Sequence, residues 1–471
     1  MQTLINYCRY LGKLDRSKDK KMIAHYKTTF FLLYMIFGLI FIEPARCQTT
    51  VLPSDKQVAW ADAEIGVIIH LDINIYAPES FDYKDSRTLP DVNLFSPSKL
   101  NTDQWIRTAK AAGAAYAILT VKHGTGFCLW PSKVNGYNVG HTKWRNGTAD
   151  ILREFIASCK KYGLKPGLYY NTNSNTYYHA GYLPFVSDSA RKAYNIAVLA
   201  QLNELWSNYG KMFEIWFDGG VNGIEPEVLQ LIHTRQPQAV LFQGPASVKN
   251  IIRWIGNEDG IAAYPQWSRV NTTTTSNGLV SIDDLHGDPE GKLWCPGESD
   301  FPIRKNNAWN GGWLWRANQE NYLFTVKELT DKYYKSVGRN TNMLIGMVVD
   351  TSGLIPRQDS LVFDSLGRNI RQLFVKPAAV LKYPQKKTIT LQFPAPRQIS
   401  RVVIMENIRK GENVRRYIVQ ALVANKWIDI AVGQSIGHKR IQPFTPVFTN
   451  KTRFSIKDAV GTVAIKEIAF Y

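Results

Sequence analysis

Between residues 55 and 350, short apolar runs with almost no polar alternation take turns with segments of helical period. A strand that is apolar at every position is buried on both faces, and a sheet of such strands needs helices on each side. Eight runs have this character: residues 65–73, 115–122, 166–171, 212–219, 239–244, 252–257, 293–298 and 342–350. Helical spacing occupies 102–112, 149–162, 188–209, 225–234 and 325–336 between them. Eight βα units over roughly 300 residues predict an α/β fold, a (β/α)8 barrel of the TIM type. A doubly wound open sheet is the alternative, but no GxGxxG follows the first run.

One more helical segment (360–373) follows, and then the period changes. Residues 375–387 read as a linker, and 388–393, 399–406, 415–423, 426–432, 453–456 and 462–471 alternate apolar and polar residues, which predicts an antiparallel β-sandwich. The chain therefore divides into an N-terminal extension (1–47), a barrel (48–374), the linker and the sandwich (388–471).

The extension has the parts of an export signal: Lys20, Lys21 and Lys27, the apolar run 29–42, then Pro44-Ala45-Arg46-Cys47. The run is shorter than the ~20 residues of a membrane span, so the expectation is export, periplasmic or extracellular, with no integral span in the mature chain. Lipidation of Cys47 is the alternative, although Arg46 stands where that signal prefers a small residue. Met22 is an alternative start. Removing the leader leaves Cys128, Cys159 and Cys295 with no CxxC pair, which fits neither a disulfide scaffold nor a structural zinc site.

A net charge of +18 raises nucleic acid as a partner. Part of that charge, +5, lies in residues 1–47, and the remainder has no zinc-knuckle spacing and no long Lys/Arg block. A basic, solvated surface and no nucleic-acid partner is the reading that follows.

In a barrel the chemistry sits at the carboxyl ends of the strands. There the sequence gathers His70, His123, Tyr169, Tyr170, Asp218, Glu258 and Glu298. Asp218 closes the run Phe213-Glu214-Ile215-Trp216-Phe217 and precedes Gly219-Gly220; an acid beside such apolar neighbours is costly unless paired or functional. Glu258 and Glu298 each follow an apolar run and a nearby glycine. Two carboxylates on one ligand are what glycoside hydrolysis needs, and either Glu could be the second. HExxH and GxSxG are absent, so neither zinc nor serine-hydrolase chemistry is expected.

The ordered set Trp60, Glu64 to His70, Asp103-Gln104-Trp105, Val121 to Ser132, Gly167 to Tyr170, Glu214 to Gly219, Ser336 to Asn340 and Gly353 to Pro356 resembles glycoside hydrolase family 29, the α-L-fucosidases. The segments Trp254 to Glu258 and Trp294 to Arg304 look like its α-1,3/1,4-selective branch, and the tail resembles that branch's discoidin-like sandwich. The resemblance implies an exo-acting, retaining enzyme without metal or cofactor, acting on a fucosylated oligosaccharide or glycoconjugate. It implies Asp218 as nucleophile and Glu258 as acid/base, with Glu298 as the alternative. His70, His123, Trp130, Tyr170, Trp216 and Glu298 are the implied sugar-binding positions. The chain departs from the pattern at Gly124-Thr125, where family members usually carry a His and an acid, and at Leu71-Asp72, where they usually carry an aromatic residue and Gly. Those departures keep two alternatives open: a glycosidase for another sugar, and a non-catalytic fucose-binding protein.

Overall fold

The computed structural model describes residues 51–79, 89–180, 187–221, 223–245, 247–271 and 285–471; the leader read in 1–47 lies outside them. The described strands before residue 350 are β1 (Ile65–His70), β2 (Tyr116–Lys122), β3 (Lys165–Asn171), β4 (Glu214–Asp218), β5 (Val240–Phe242), β6 (Ile251–Trp254), β7 (Arg269–Val270), β8 (Leu293–Trp294), β9 (Gly297–Pro302) and β10 (Thr341–Val348). Eight close into a parallel barrel in the order β1-β10-β9-β6-β5-β4-β3-β2, while β7 and β8 pair as a short antiparallel ribbon.

Local chemistry explains the punctuation. The helix Thr102–Ala112 begins where the Asn101 side chain accepts from the Gln104 N–H and ends at Gly113 with φ 95°; Asp150 and Gly163 bracket Ile151–Tyr162 in the same way. Ile69, Leu119 and Val121 face outward onto Trp105, Ile106 and Phe155 of these helices, whereas Ile68, Ile118, Tyr169, Trp216 and Leu344 fill the barrel interior. That double burial is why the strands lack polar alternation. Gly66 also shapes the interior. A Cβ there would lie 2.2 Å from the Tyr116 ring, so its absence makes room for a tyrosine in the lower barrel.

The run 293–298 is not a single strand. Leu293 and Trp294 pair antiparallel with Val270 and Arg269, Pro296 separates them from the barrel, and β9 starts only at Gly297. The seventh barrel strand therefore ends at Pro302, and Glu298 sits near its beginning, opposite Trp254 and Asn342.

After the helix Arg357–Phe374 come β11 (Ala379–Lys382), β12 (Thr388–Glu406), β13 (Val414–Val423), β14 (Lys426–Gly433), β15 (Arg440–Ala459) and β16 (Ile465–Phe470), hydrogen-bonded in the order β11-β16-β12-β15-β13-β14. β11 lies within the stretch read as linker. The long strands β12 and β15 shift register midway. One half of the pair carries β16 and β11, the other β13 and β14, and both halves bury residues in one core: Leu391, Phe393, Val419 and Phe454 with Val402, Ile404, Ile468 and Phe470. The result is the expected antiparallel sandwich. The alternate residues Val403, Met405 and Ala469 pack into the barrel's outer core instead. Glu412 fastens the contact, accepting from Ser268 N (2.8 Å), Ser268 Oγ (2.5 Å) and Asn340 Nδ2 (2.6 Å).

Candidate active site

At the carboxyl end of the barrel, His70, His123, Tyr169, Trp216, Asp218, Glu258, Asp300 and Trp313 line a cavity of about 80 Å³ that is open to solvent. Asp218 ends β4, and Gly219 and Gly220, at φ 72° and 79°, turn the chain away at once. Its Oδ2 accepts from the Tyr169 hydroxyl (2.5 Å) and from Asn171 Nδ2 (2.9 Å). Both donors reach the same oxygen, which leaves Oδ1 as the oxygen available for bond formation.

Glu258, exposed on the loop after β6, accepts from Trp313 Nε1 at 2.9 Å. Asp300, on β9, is buried and accepts from Trp254 Nε1 at 2.8 Å. Burial, with the charges of Glu258 and Glu298 nearby, pushes the Asp300 carboxyl well above its usual range. The walls are aromatic: Tyr169 stacks on Trp216 (5.3 Å between centroids) and on His123 (5.6 Å), and His70 lies 5.1 Å from Trp313. Burial holds the imidazoles of His70 and His123 down to about 3 and about 4, so both are neutral rings able to donate to and accept from sugar hydroxyls.

A family model described as alpha-L-fucosidase matches residues 52–372. The chain belongs to the α-L-fucosidase family. It is a glycoside hydrolase, an enzyme whose substrates are fucosylated glycans. The α-L-fucosidase 1 of Arabidopsis thaliana is 28% identical to this fucosidase, over 92% of this chain and 91% of the plant protein. Among solved structures, a Bacteroides thetaiotaomicron protein assigned as an α-L-fucosidase superposes with a TM-score of 0.83 at 33% identity, covering 90% of this chain and 99% of that one. A glycoside hydrolase 29 family member from a rumen bacterium reaches 0.78 at 29% identity, covering 90% and 77%.

The fucosidase places the expected residues in two groups. His70, His123, Trp216, Asp218 and Glu258 line the cavity. Trp130, Tyr170 and Glu298 do not. Trp130 is buried behind the wall, donating to Glu204 Oε2 at 3.0 Å. Tyr170 faces the helices, where its hydroxyl donates to Gln201 at 2.7 Å and Lys122 Nζ lies 4.4 Å from its ring. Side chains alternate along a strand, and β3 opposes β4 with Tyr169 against Trp216 and Asn171 against Asp218, so Tyr169 and Asn171 share the inward parity and Tyr170 does not. Glu298 lies in the barrel floor, fully buried, accepting from Tyr116 OH (2.8 Å) and from Trp216 Nε1 (3.0 Å). It faces the buried Glu214, which accepts from Trp60 Nε1 at 2.8 Å. Burial pushes both carboxyls up, Glu298 to about 7, and the charge of Glu298 pushes Glu214 further. Glu298 thus holds a cavity tryptophan from below.

Sequence reasoning missed Asp300 and Trp313 in this fucosidase, because the mistaken strand boundary at 293–298 put the acid of interest two residues too early. The two departures from the family pattern meet in space. Thr125 Oγ1 donates to Asp72 Oδ1 at 2.5 Å, and Asp72 Oδ2 lies 3.8 Å from His123 Nδ1. Burial raises the Asp72 carboxyl to about 7 and lowers the neighbouring Lys122 to about 7.

Proposed function

We propose that this enzyme is an exo-acting, retaining α-L-fucosidase for α-1,3/1,4-linked fucose, with Asp218 as nucleophile and Glu258 as acid/base. The observation that supports it most is a carboxylate with one oxygen doubly hydrogen-bonded and the other left for bonding, sharing a cavity with a solvent-exposed second carboxyl. In the first step Oδ1 of Asp218 bonds the anomeric carbon as the glycosidic C–O bond breaks, and Glu258 gives its proton to the departing oxygen. In the second, Glu258 takes a proton from water, the water oxygen bonds the anomeric carbon, and the ester to Asp218 breaks. Two inversions give net retention. His70, His123 and the stacked Tyr169 and Trp216 bind the ring, neutral imidazoles to hydroxyls and aromatic faces to C–H groups. The linkage preference rests on the likeness of Trp254 to Glu258 and Trp294 to Arg304 to one branch of the family, and export rests on the leader.

Asp300 is the second candidate for acid/base, since it lines the same cavity and burial favours its protonated form. Proton NMR of the sugar first released from an aryl α-L-fucoside tests the proposal: α-fucose is expected, β-fucose would mean inversion, and faster release from the matching galactoside would point to another sugar.

A further inference from the structure

The charge of this protein is unevenly placed. Residues 48–374 carry 32 Lys and Arg against 31 Asp and Glu, whereas residues 375–471 carry 17 against 5. Two of those five acids, Glu406 and Glu412, are buried and spent on internal hydrogen bonds. The barrel is almost neutral, and the sandwich surface is cationic.

Part of this charge is organised on one face. Along β15, Thr452, Phe454, Ser455 and Ile456 are buried, whereas Lys451 and Arg453 reach the surface two residues apart, about 7 Å, and the exposed Lys457 follows at a register shift. Arg453 is held in place: its guanidinium carbon lies 4.3 Å from the Trp427 ring, its Nε donates to Gln420 Oε1 (2.8 Å), and Gln420 Nε2 donates to Asp429 Oδ1 (2.7 Å). These bonds use Nε and leave both terminal nitrogens for an anionic group, in the planar fork that suits carboxylate and sulfate. On the neighbouring strand the exposed Thr390 and Gln392 stand opposite Arg453 and Lys451.

We infer that the outer face of the sandwich, with Lys451, Arg453 and Lys457 as its cationic ridge beside Gln420, Thr390 and Gln392, binds an acidic polysaccharide. Hydroxyl and amide groups beside the cations match a polymer bearing both hydroxyls and sulfates or carboxylates. The barrel of the same chain acts on glycans.

Calorimetric titration of the mature protein with a heparin oligosaccharide tests the inference. Lys451→Gln/Arg453→Gln should weaken binding at least about tenfold, and added salt should weaken the wild type further. Neither residue lines the cavity, so turnover of an aryl α-L-fucoside should be unchanged, which also reports correct folding. A control pair on the barrel, Lys160→Gln/Lys192→Gln, removes the same charge and should leave heparin binding intact. The inference is overturned if the ridge variant binds heparin as the wild type does, if the control pair weakens binding equally, or if duplex DNA or anionic vesicles bind the wild type as tightly as heparin.

Discussion

Asp218, Glu258 and Asp300 are three carboxyls in three environments, and environment decides which can do what. Asp218 is bound through one oxygen, Glu258 is exposed, and Asp300 is buried with its carboxyl pushed up. An acid/base must exchange protons with water in the second half-reaction, which favours the exposed Glu258. Protonating the leaving oxygen matters most when the leaving group is poor. Glu258→Ala should therefore lose far more activity on a sugar leaving group than on an activated aryl one, with azide returning part of the aryl activity as fucosyl azide of retained configuration. Asp300→Asn should lower both substrates by similar factors, because a residue that positions the sugar counts equally for either. Should only Asp300→Asn show the leaving-group dependence, the two roles are exchanged. At this scale the sequence showed where acids end apolar runs, but not that Thr125 and Asp72, two apparent oddities far apart in the chain, are hydrogen-bonded to each other.

The strands were the most legible elements, because burial on both faces leaves an unbroken apolar run. What failed was phase. A run of apolar residues gives no parity, so Tyr169 and Tyr170 could not be told apart until β3 was registered against β4. The ribbon β7–β8 is likewise invisible in composition, and it moved Glu298 from the expected mouth to the floor. That floor predicts a pH dependence. Glu214 and Glu298 have folded-state pKa values raised by burial, so the stability they confer is fully present below the ordinary carboxylate range near about 4.3 and is lost as pH rises through the raised values. Denaturant unfolding across that window should show stability falling with pH in the wild type and a flatter profile in Glu298→Gln. Equal slopes would mean that Glu298 does not titrate from a raised pKa in the folded protein. The same variant weakens the support of Trp216, so its KM should rise on sugar and aryl substrates alike.

For the molecule as a whole, the change of hydrophobic period near residue 375 marked the passage from parallel barrel to antiparallel sheet, because a one-sided sheet alternates and a two-sided one does not. The docking of sandwich on barrel was not legible: Glu412 reaching Ser268 and Asn340, and alternate residues of β12 and β16 facing the barrel, are contacts between distant segments that no local pattern encodes. The central claim is that Asp218 forms the covalent intermediate, and Asp218→Ala assayed with an aryl α-L-fucoside, without and with azide, tests it most directly. The account predicts a loss of several powers of ten in rate with the fold unchanged, and partial rescue by azide yielding fucosyl azide of inverted configuration. A variant that keeps more than about a tenth of the wild-type rate would contradict it.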